Sequence, residues 1–520
     1  MIQIILSDRA YENDVYPLVK SFFPQETIKI SQKEVGQAGS DAVHQSACSG
    51  TCQEEVQQGD QTEGFEGLQE GICLIGIEFF DSRVTVSIIR RTGELSEDFL
   101  ETASRMENKP KYKNAMKRLL YRMLAEITGK VLPWGILTGI RPTKLAYEML
   151  EEEVDEYGIL KYYNEEYLCS KDKAEMSIRI AQREMKLLRD MDYRNGYSLY
   201  IGIPFCPSTC LYCSFPSYSI GKTSDQVDGY LEALHKEIIF GTACFPDKKL
   251  TTVYIGGGTP TSLDEEQLDR LLGQLGEYYD FSNVLEFCVE AGRPDSITEG
   301  KLKVMKKWGV DRISINPQSM QQKTLDLIGR KHTVGQVVEA FRMARETGHD
   351  NINMDLIIGL PGENPGDVRD TLLQVKELDP DSLTVHTLAL KRAARLNAER
   401  DQYAGLRAVD VPVMLEGTIQ FAGENHYLPY YLYRQKNMAD NLENIGYAKS
   451  GKEGLYNILI MEEKQTILAL GAAAMTKYVF HKGNRIERVD NVKSIRDYIG
   501  RIDEMIMRKQ DFLNKWKQED

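Results

Sequence analysis

The feature that most constrains the fold is a regular alternation of short apolar runs and longer amphipathic stretches between residues 193 and 396. Six runs rich in β-branched residues occur there, and stretches with helical spacing separate them. The six runs span residues 198–203, 251–255, 284–289, 312–315, 352–358 and 383–388. This alternation predicts an α/β fold with parallel strands joined by helical crossovers, and six units favour a partial (β/α)6 barrel over a closed barrel of eight. Because ligands bind at the C-terminal ends of the strands in such folds, functional residues are expected just after each run.

The N-terminal segment has a different composition. Residues 1–150 combine strand-like runs at 1–6 and 72–90 with an amphipathic helix at 109–129, which predicts an α+β domain. The residues from about 31 to 67 are rich in Gln, Gly, Ser and Glu. They are expected to form a mobile loop, because so few apolar side chains cannot offset the entropy lost on ordering.

Three further segments complete the predicted organisation. Residues 151–192 are expected to form a helical connector, and 193–396 the partial barrel. Residues 397–520 are expected to form a mainly helical C-terminal domain that closes the barrel mouth, ending in an amphipathic helix near 492–517.

The charge balance limits the partners of the chain. With 64 Lys and Arg against 78 Asp and Glu, the 520 residues carry a net charge of −14, which argues against general binding to nucleic acid or to an anionic membrane. No apolar run approaches the ~18–20 residues of a membrane span, and the N-terminus does not resemble a secretory signal. We therefore expect a cytoplasmic protein. A basic patch at residues 109–118 is interpreted either as a solvated helix face or as a site for an anionic ligand or partner.

The strongest chemical signal is a C-x3-C-x2-C array formed by Cys206, Cys210 and Cys213 directly after the first run. Three thiolates this close together can converge on one iron–sulfur cluster, and on a four-iron cluster they leave one iron open for a small molecule. A structural zinc site usually has four ligands, and no fourth Cys or His lies nearby in sequence. A zinc site completed by a distant residue, or three unrelated core cysteines, are the alternatives. A second group, His44, Cys48 and Cys52, has spacing suited to a metal but lies in the predicted loop.

Polar residues also follow the later runs. Glycines at 256–258 would let the backbone approach a ligand and offer N–H groups. Glu290 and Gln318 offer hydrogen-bonding groups, and Asp355 stands in an apolar run where a carboxylate needs a partner. Arg330 suits a carboxylate.

The cysteine spacing and the glycine-rich strand end that follows resemble the radical S-adenosylmethionine (SAM) superfamily. The resemblance implies that the three cysteines hold a [4Fe–4S] cluster whose open iron binds the amino and carboxylate groups of SAM. It further implies that one electron from the cluster cleaves SAM, giving a radical that abstracts hydrogen from an unactivated carbon.

Within that superfamily, the chain resembles the oxygen-independent coproporphyrinogen III oxidase (coproporphyrinogen dehydrogenase) family. The shared sequences are YIGIPFC, CLYC, YIGGGTPTSL, RISINPQSM, GRKH and NMDLIIGLPGE. Two further stretches, GILTGIRPTK and RQKNMADNLENIGYA, resemble the HemZ branch of the family. Beside the cluster ligands Cys206, Cys210 and Cys213, the resemblance implies SAM contacts at Tyr200, Tyr212, Gly257, Gly258, Thr259, Glu290, Gln318, Arg330, Asp355 and Ala389.

The resemblance implies a radical-SAM oxidoreductase of haem biosynthesis. It would convert two propionates of coproporphyrinogen III to the vinyl groups of protoporphyrinogen IX, using a one-electron donor such as flavodoxin or ferredoxin. Binding the substrate's carboxylates calls for cations at the barrel mouth, and the candidates are Arg141, Lys144, Arg293, Lys331, Lys391 and Arg392. His332 is interpreted either as a helix-surface residue or as a contact to those carboxylates.

One position departs from the dehydrogenase pattern. Phe215 stands two residues after the third cysteine, where the dehydrogenase has a fourth cysteine and the haem-chaperone branch has an aromatic residue. A haem-trafficking protein without dehydrogenase activity, or another radical-SAM enzyme acting on a tetrapyrrole, is therefore an alternative. The haem motif of the chaperone branch is not found around His386 or His426. An RNA-modifying enzyme that uses the basic patch is a further alternative, which the net charge opposes.

Overall fold

The computed structural model describes residues 1–24, 26–33, 71–139, 141–189, 191–389, 391, 393–399, 403–406, 408–435, 442–482 and 485–519. Most of the predicted loop, including His44, Cys48 and Cys52, lies outside these residues, as does Arg392. The chain divides into two compact units: Met1–Ile140 with Glu151–Ile178, and Arg141–Leu150 with Arg179–Asp520. The domain boundaries at 150, 192 and 396 remain predictions.

The elements that precede the barrel are, in chain order, β1 (Ile2–Leu6), α1 (Glu12–Phe22), β2 (Ile28–Gln32), β3 (Ile72–Phe79), β4 (Arg83–Arg90), β5 (Leu95–Glu101), α2 (Lys109–Thr128), α3 (Thr143–Glu151), α4 (Glu156–Tyr167) and α5 (Lys171–Arg189). The strands form one sheet in the order β2-β1-β3-β4-β5. In it β1 runs parallel to both neighbours, and β3 to β5 are antiparallel. The core of the first unit buries Phe22 of α1 and Tyr112 of α2 completely. The predicted strands and the helix at 109–129 are confirmed.

Most of the basic patch on α2 is paired within the first unit. Lys117 is buried and donates to Thr138 Oγ1 at 3.2 Å. Lys113 and Arg118 form ion pairs with Asp14 and Glu166 at 2.7 and 2.8 Å. The interpretation of the patch as a solvated helix face is therefore wrong for Lys117, because its stem fills the core while its ammonium is hydrogen-bonded.

The barrel elements are β6 (Gly196–Ile203), β7 (Phe205–Cys206), β8 (Tyr218–Ser219), α6 (Ile220–Thr223), α7 (Val227–Thr242), β9 (Lys249–Gly257), α8 (Glu265–Tyr278), β10 (Glu286–Gly292), α9 (Glu299–Lys307), β11 (Arg312–Ile315), α10 (Gln322–Leu327), α11 (Val334–Glu346), β12 (Ile352–Ile358), α12 (Pro365–Leu378) and β13 (Ser382–Thr387). Strands β6, β9, β10, β11, β12 and β13 are neighbours in that order and are parallel. The six predicted strands are confirmed. Capping boxes at Asp264, Thr333 and Asn364 begin three of the crossover helices.

The C-terminal elements are α13 (Arg395–Ala398), α14 (Val411–Glu424), β14 (Leu428–Tyr433), β15 (Asn444–Ala448), α15 (Leu455–Glu462), β16 (Thr466–Leu470), β17 (Met475–Phe480), β18 (Arg485–Asp490), α16 (Ile495–Gly500) and α17 (Ile502–Glu519). The helices were expected, but the five strands were not. They extend the barrel sheet to eleven strands in the order β14-β15-β13-β12-β11-β10-β9-β6-β16-β17-β18. Strand β16 runs parallel to β6 and is buried throughout, and a short apolar run of this kind has no periodicity that distinguishes it from a buried helix. None of the helices in the described ranges is long and apolar enough to cross a membrane.

Candidate functional site

The predicted site residues lie along the C-terminal halves of the parallel strands or just beyond them. Tyr200, Glu290 and Asp355 are inside β6, β10 and β12, and Gly257 is the last residue of β9. Gln318 follows β11 by three residues. Ala389 lies two residues beyond β13 and is half-buried, and its contact with the adenine stays a prediction.

The cysteine loop is fixed by backbone hydrogen bonds and an apolar anchor. Its first residues pair with β8 through a short parallel ladder, Cys206 opposite Ser219. Between the second and third cysteines, the Leu211 N–H donates to the Ile328 carbonyl at 2.9 Å, and the Leu211 side chain belongs to a buried apolar cluster. The loop is therefore held in place by the protein itself.

The three thiols lie close enough to influence one another. Burial raises the pKa of the Cys206 thiol, and its neighbours Cys213 and Cys210 raise it further. Burial likewise raises the pKa of Cys213, with Cys210 adding to the effect. The Ser217 side chain hydrogen-bonds to both Cys206 and Cys213. No group of three or more His, Cys, Asp or Glu side chains in the described part of the chain is arranged to hold a metal ion, so joint ligation by the three cysteines stays a prediction.

The glycine loop packs directly beneath the start of the cysteine loop. A Cβ on Gly258 would lie 2.5 Å from the Phe205 carbonyl oxygen, and Gly257 has a φ of 107°, which disfavours any other residue. The N–H groups of Gly258 and Thr259 donate to Ile203 and Phe205 carbonyls, both at 2.7 Å. The expectation that the glycines at 256–258 offer N–H groups to a ligand is wrong for Gly258, because the close packing of β9 against the cysteine loop uses its N–H.

Thr259 ties the glycine loop to the candidate metal ligands. Its hydroxyl donates to the Cys206 sulfur at 3.4 Å, and the residue is buried. The predicted functional role of Thr259 as a SAM contact stays a prediction, whereas its contact with a cysteine is a feature of the structure.

Glu290 lies beside a stack of three tyrosines inside the barrel. Tyr254 and Tyr456 stack at 4.4 Å between ring centroids, and Tyr200 stacks on both. The Tyr254 hydroxyl donates to Glu290 Oε1 at 2.5 Å. Burial raises the pKa of Glu290 to about 7, although hydrogen bonds from Tyr254 and the Gly257 N–H oppose the shift.

Sequence reasoning missed Tyr254 and Tyr456. A signal for Tyr254 exists, because it is the one aromatic residue in the run TVYI that leads into the glycines. Tyr456 lies in α15, 202 positions further along the chain than Tyr254, and no local pattern links it to the strand ends.

Asp355 is held as a carboxylate by its neighbours. Asn353 Nδ2 donates to Asp355 Oδ1 at 2.7 Å, and His386 Nε2 lies 3.9 Å from Oδ2. Burial alone would raise the pKa of Asp355, but the interactions with His386, Asn353 and Thr384 outweigh it and lower the pKa below its usual value. His386 in turn lies 3.3 Å from the Tyr433 hydroxyl through Nδ1.

Gln318 presents a buried oxygen without a partner. The residue adopts a φ of 69° and its N–H donates to the Asp355 carbonyl at 3.0 Å. Its side-chain Oε1 is buried and has no hydrogen-bond partner. A buried amide oxygen normally has a donor, and a strained backbone often accompanies a functional role. The predicted SAM contact at Gln318 agrees with these two features and stays a prediction.

Arg330 joins three parts of the site. It is buried and donates to the Asn316 carbonyl at 2.5 Å, and its charge interacts with Tyr212 and Cys210. His332, two residues on, is fully buried with both ring nitrogens unpartnered. Its interpretation as a helix-surface residue is wrong, because His332 lies in the irregular segment between α10 and α11 and is buried there.

Several candidate cations are already engaged by protein groups. Arg293 is paired with Asp295 at 2.7 Å and Arg141 with Glu463 at 2.8 Å. Lys391, in contrast, is half-buried with its ammonium 5.8 Å from the centre of the Phe215 ring. Phe215 itself is 67% exposed. Phe215 is two residues after the third cysteine, Cys213.

The residues present fit a cluster and SAM. Three thiols stand on one fixed loop, and thiolates are the ligands that iron–sulfur clusters use. The Gln318 oxygen, which has no partner, and the Glu290 carboxyl, whose pKa is raised, are hydrogen-bonding groups of the kind that a polar ligand such as SAM needs.

Comparison with known proteins gives one family match and several relatives. Residues 200–375 match the family model described as the radical SAM superfamily. The chain is 40% identical over 461 residues to the oxygen-independent coproporphyrinogen-III oxidase-like protein HemZ of Bacillus subtilis, a match covering 87% of this chain and 92% of that protein. It is 34% identical over 307 residues to the heme chaperone HemW of Bacillus subtilis, covering 58% and 76% of the two chains. It is 31% identical over 234 residues to the oxygen-independent coproporphyrinogen III oxidase of Escherichia coli, covering 44% and 50%.

Proposed function

We infer the function of this chain from the fact that it belongs to the radical SAM superfamily and, within it, to the HemZ branch of the oxygen-independent coproporphyrinogen III oxidase family. Proteins of this superfamily use a [4Fe–4S] cluster and SAM. We propose that this chain decarboxylates two propionate side chains of coproporphyrinogen III to vinyl groups without oxygen, giving protoporphyrinogen IX.

In the proposed reaction each propionate side chain loses one hydrogen atom from its β-carbon, one electron and one molecule of carbon dioxide. When bound, the cluster and SAM supply one-electron reduction and hydrogen-atom abstraction. An external acceptor takes the electron that remains on the substrate. The chain's own residues bind, orient and shield the reacting groups.

The observation that carries the proposal is the group of polar residues around the cysteine loop. Thr259 touches Cys206, and Arg330 joins Cys210 to Tyr212. Gln318 contributes an unpartnered oxygen, and Glu290 has a pKa of about 7. Near neutral pH the Glu290 carboxyl is therefore close to half-protonated and can accept or donate a hydrogen bond to SAM.

Substrate carboxylates need a cation that is not already used by the protein. Arg293 and Arg141 are engaged in ion pairs with Asp295 and Glu463. Lys391, beside the exposed ring of Phe215, is the candidate that the structure favours. The Lys391 ammonium would bind a propionate, while the Phe215 ring would contact the apolar macrocycle.

The proposal is tested by anaerobic incubation of the purified protein with coproporphyrinogen III, SAM and a one-electron reductant. Formation of protoporphyrinogen IX and carbon dioxide is expected, and Cys206→Ala should abolish both. Cys244→Ala is the matched control, because Cys244 is a buried cysteine two residues beyond α7 whose thiol donates to the Phe240 carbonyl at 3.6 Å. SAM cleavage without protoporphyrinogen IX would overturn the substrate assignment.

A second candidate is a haem-trafficking protein. It is supported by Phe215 in place of the fourth cysteine and by the 34% identity to the chaperone HemW of Bacillus subtilis over 76% of its length. One equivalent of haem bound per chain, with no turnover of coproporphyrinogen III under the conditions above, would favour it.

A further inference from the structure

Cys210 differs from the other two cysteines of the loop in its neighbours. It is 8% exposed, whereas Cys206 and Cys213 are only partly buried. Two guanidinium groups influence its sulfur: Arg293 Nη1 lies 3.9 Å from Sγ, and the charge of Arg330 interacts with it electrostatically. The Cys206 sulfur has neutral hydroxyl neighbours instead, Thr259 donating at 3.4 Å and Ser217.

Arg293 is fixed in place from three directions. Nε and Nη2 donate to the two carboxylate oxygens of Asp295 at 2.9 and 2.7 Å. Nη1 donates to the Ser208 carbonyl at 3.1 Å and to the Ser208 hydroxyl at 2.7 Å. The side chain is 3% exposed. Arg293 is therefore bound to Ser208 of the cysteine loop and is not available to a substrate carboxylate.

We propose that Arg293, held by Asp295, is a positioning residue that raises the reduction potential of the cluster by donating to the Cys210 sulfur. This inference rests on the proposed cluster site at Cys206, Cys210 and Cys213. Reduction adds one negative charge to the cluster. A buried cation with an N–H directed at a ligand sulfur stabilises that charge, and groups beside the metal ligands tune a metal centre in this way.

The charges around Cys210 fix the sign of the effect. Arg293 and Arg330 are the cations, and Asp295 is the anion, its carboxyl kept ionised because Arg293 offsets the effect of burial on its pKa. His332 faces the same group, but burial and Arg330 lower its pKa to about 4, so it is neutral at pH 7. Removing the Arg293 charge leaves an anion near the sulfur, and removing the Asp295 charge leaves a cation uncompensated.

The experiment is a potentiometric titration with dithionite on anaerobically reconstituted full-length protein, followed by the paramagnetic resonance of the reduced cluster. We expect the midpoint potential to shift to more negative values in Arg293→Leu and to more positive values in Asp295→Asn. Arg293→Lys keeps the charge and should shift the potential less than Arg293→Leu. Lys303→Leu, which removes an exposed cation of α9 paired with Glu299, should leave the potential unchanged, because solvent screens its charge.

Iron and sulfide content separates this inference from the proposed function. If wild type holds no cluster, the proposed site fails and the inference with it. If wild type and variants hold the cluster but Arg293→Leu and Asp295→Asn shift the potential in the same direction, or not at all, the inference alone is wrong. Should Arg293→Leu fail to hold the cluster, Asp295→Asn decides: a positive shift supports the inference, and an unchanged potential overturns it.

Discussion

Two buried glutamates of the second unit are in opposite situations. Glu237, on α7, is completely buried and every oxygen is satisfied: Tyr498, Asn491 and the Gly471 N–H donate at 2.6 to 2.9 Å, and Lys509 forms an ion pair with it. Glu290, at the strand ends, accepts only neutral donors from Tyr254 and Gly257 and has a raised pKa.

This difference distinguishes a cluster that holds the fold from one arranged for a ligand. Around Glu237, residues far apart in sequence complete each other's hydrogen bonds, and α7 is thereby joined to α16 and α17. At the strand ends, Gln318 Oε1 has no partner and the buried Glu290 carboxyl has a raised pKa, features that are typical of binding sites. Substitutions in the two groups should therefore change different properties.

The largest effect is expected for Lys509→Met. It leaves the Glu237 carboxylate buried without its cation, and the loss of one partner of a buried pair costs about 3–5 kcal/mol of unfolding free energy. Urea denaturation measures this loss, and cluster content per folded protein should not change. The control Lys515→Met removes an exposed cation 3.4 Å from Glu487 and should change stability by less than about 1 kcal/mol. Equal effects of the two substitutions would contradict the comparison.

A smaller effect is expected for Glu290→Gln, and it should depend on pH. The pKa of Glu290 is about 7 in the folded chain, above its ordinary value of about 4.3. Between these values the folded state binds more protons than the unfolded state, so stability falls as pH rises from about 4.5 to 7. Glu290→Gln lacks this titration. Its unfolding free energy should therefore come to exceed that of wild type by up to about 3 kcal/mol as the pH rises through that range.

Urea denaturation at several pH values checks this prediction. Asp311→Asn is the matched control, since burial raises the pKa of Asp311 to about 6 and the residue precedes β11, at the opposite end of the strand from Gln318. Asp311→Asn should remove the pH dependence of the unfolding free energy over a lower and narrower pH range than Glu290→Gln does. It should not change SAM affinity. Parallel stability curves for wild type and Glu290→Gln would show that Glu290 is not the group that titrates.

The smallest effect is expected for Gln318→Ala, in SAM binding. Losing the ligand's hydrogen bond should raise the Kd for SAM about tenfold, equivalent to about 1.4 kcal/mol, while unfolding free energy stays nearly the same. Gln465→Ala is the control, because its Nε2 donates to Ser198 and Thr251 at 2.9 and 2.8 Å. It should lose stability but keep SAM affinity, as measured by equilibrium dialysis. If Gln318→Ala is unstable yet binds SAM normally, Gln318 stabilises the fold and its assignment as a SAM contact is wrong.

Local patterns in the sequence predicted the strand ends well. β-branched runs located six parallel strands, and the rule that ligands bind after such strands placed Glu290, Gln318 and Asp355 together. The cysteine loop followed from spacing alone. These features depend on residues close together in the chain.

Features that depend on distant residues were not predicted. Glu237 and Lys509 are 272 positions apart, and Tyr456 reaches Tyr254 from a helix beyond the barrel. Strand β16 lacks alternation because both its faces are buried. The Gly258 N–H was expected to be available to a ligand, and only the packing of β9 against the cysteine loop shows that it donates to the Ile203 carbonyl.

The central claim is that Cys206, Cys210 and Cys213 hold a four-iron cluster whose open iron binds SAM. Paramagnetic resonance of the reconstituted, dithionite-reduced protein tests it most directly, with and without SAM. We predict about four iron and four sulfide ions per chain and a paramagnetic signal that changes on adding SAM. Cys206→Ala should lose the iron and sulfide and, with them, the signal. Protein that holds only zinc, or a signal that SAM leaves unchanged, would contradict the claim.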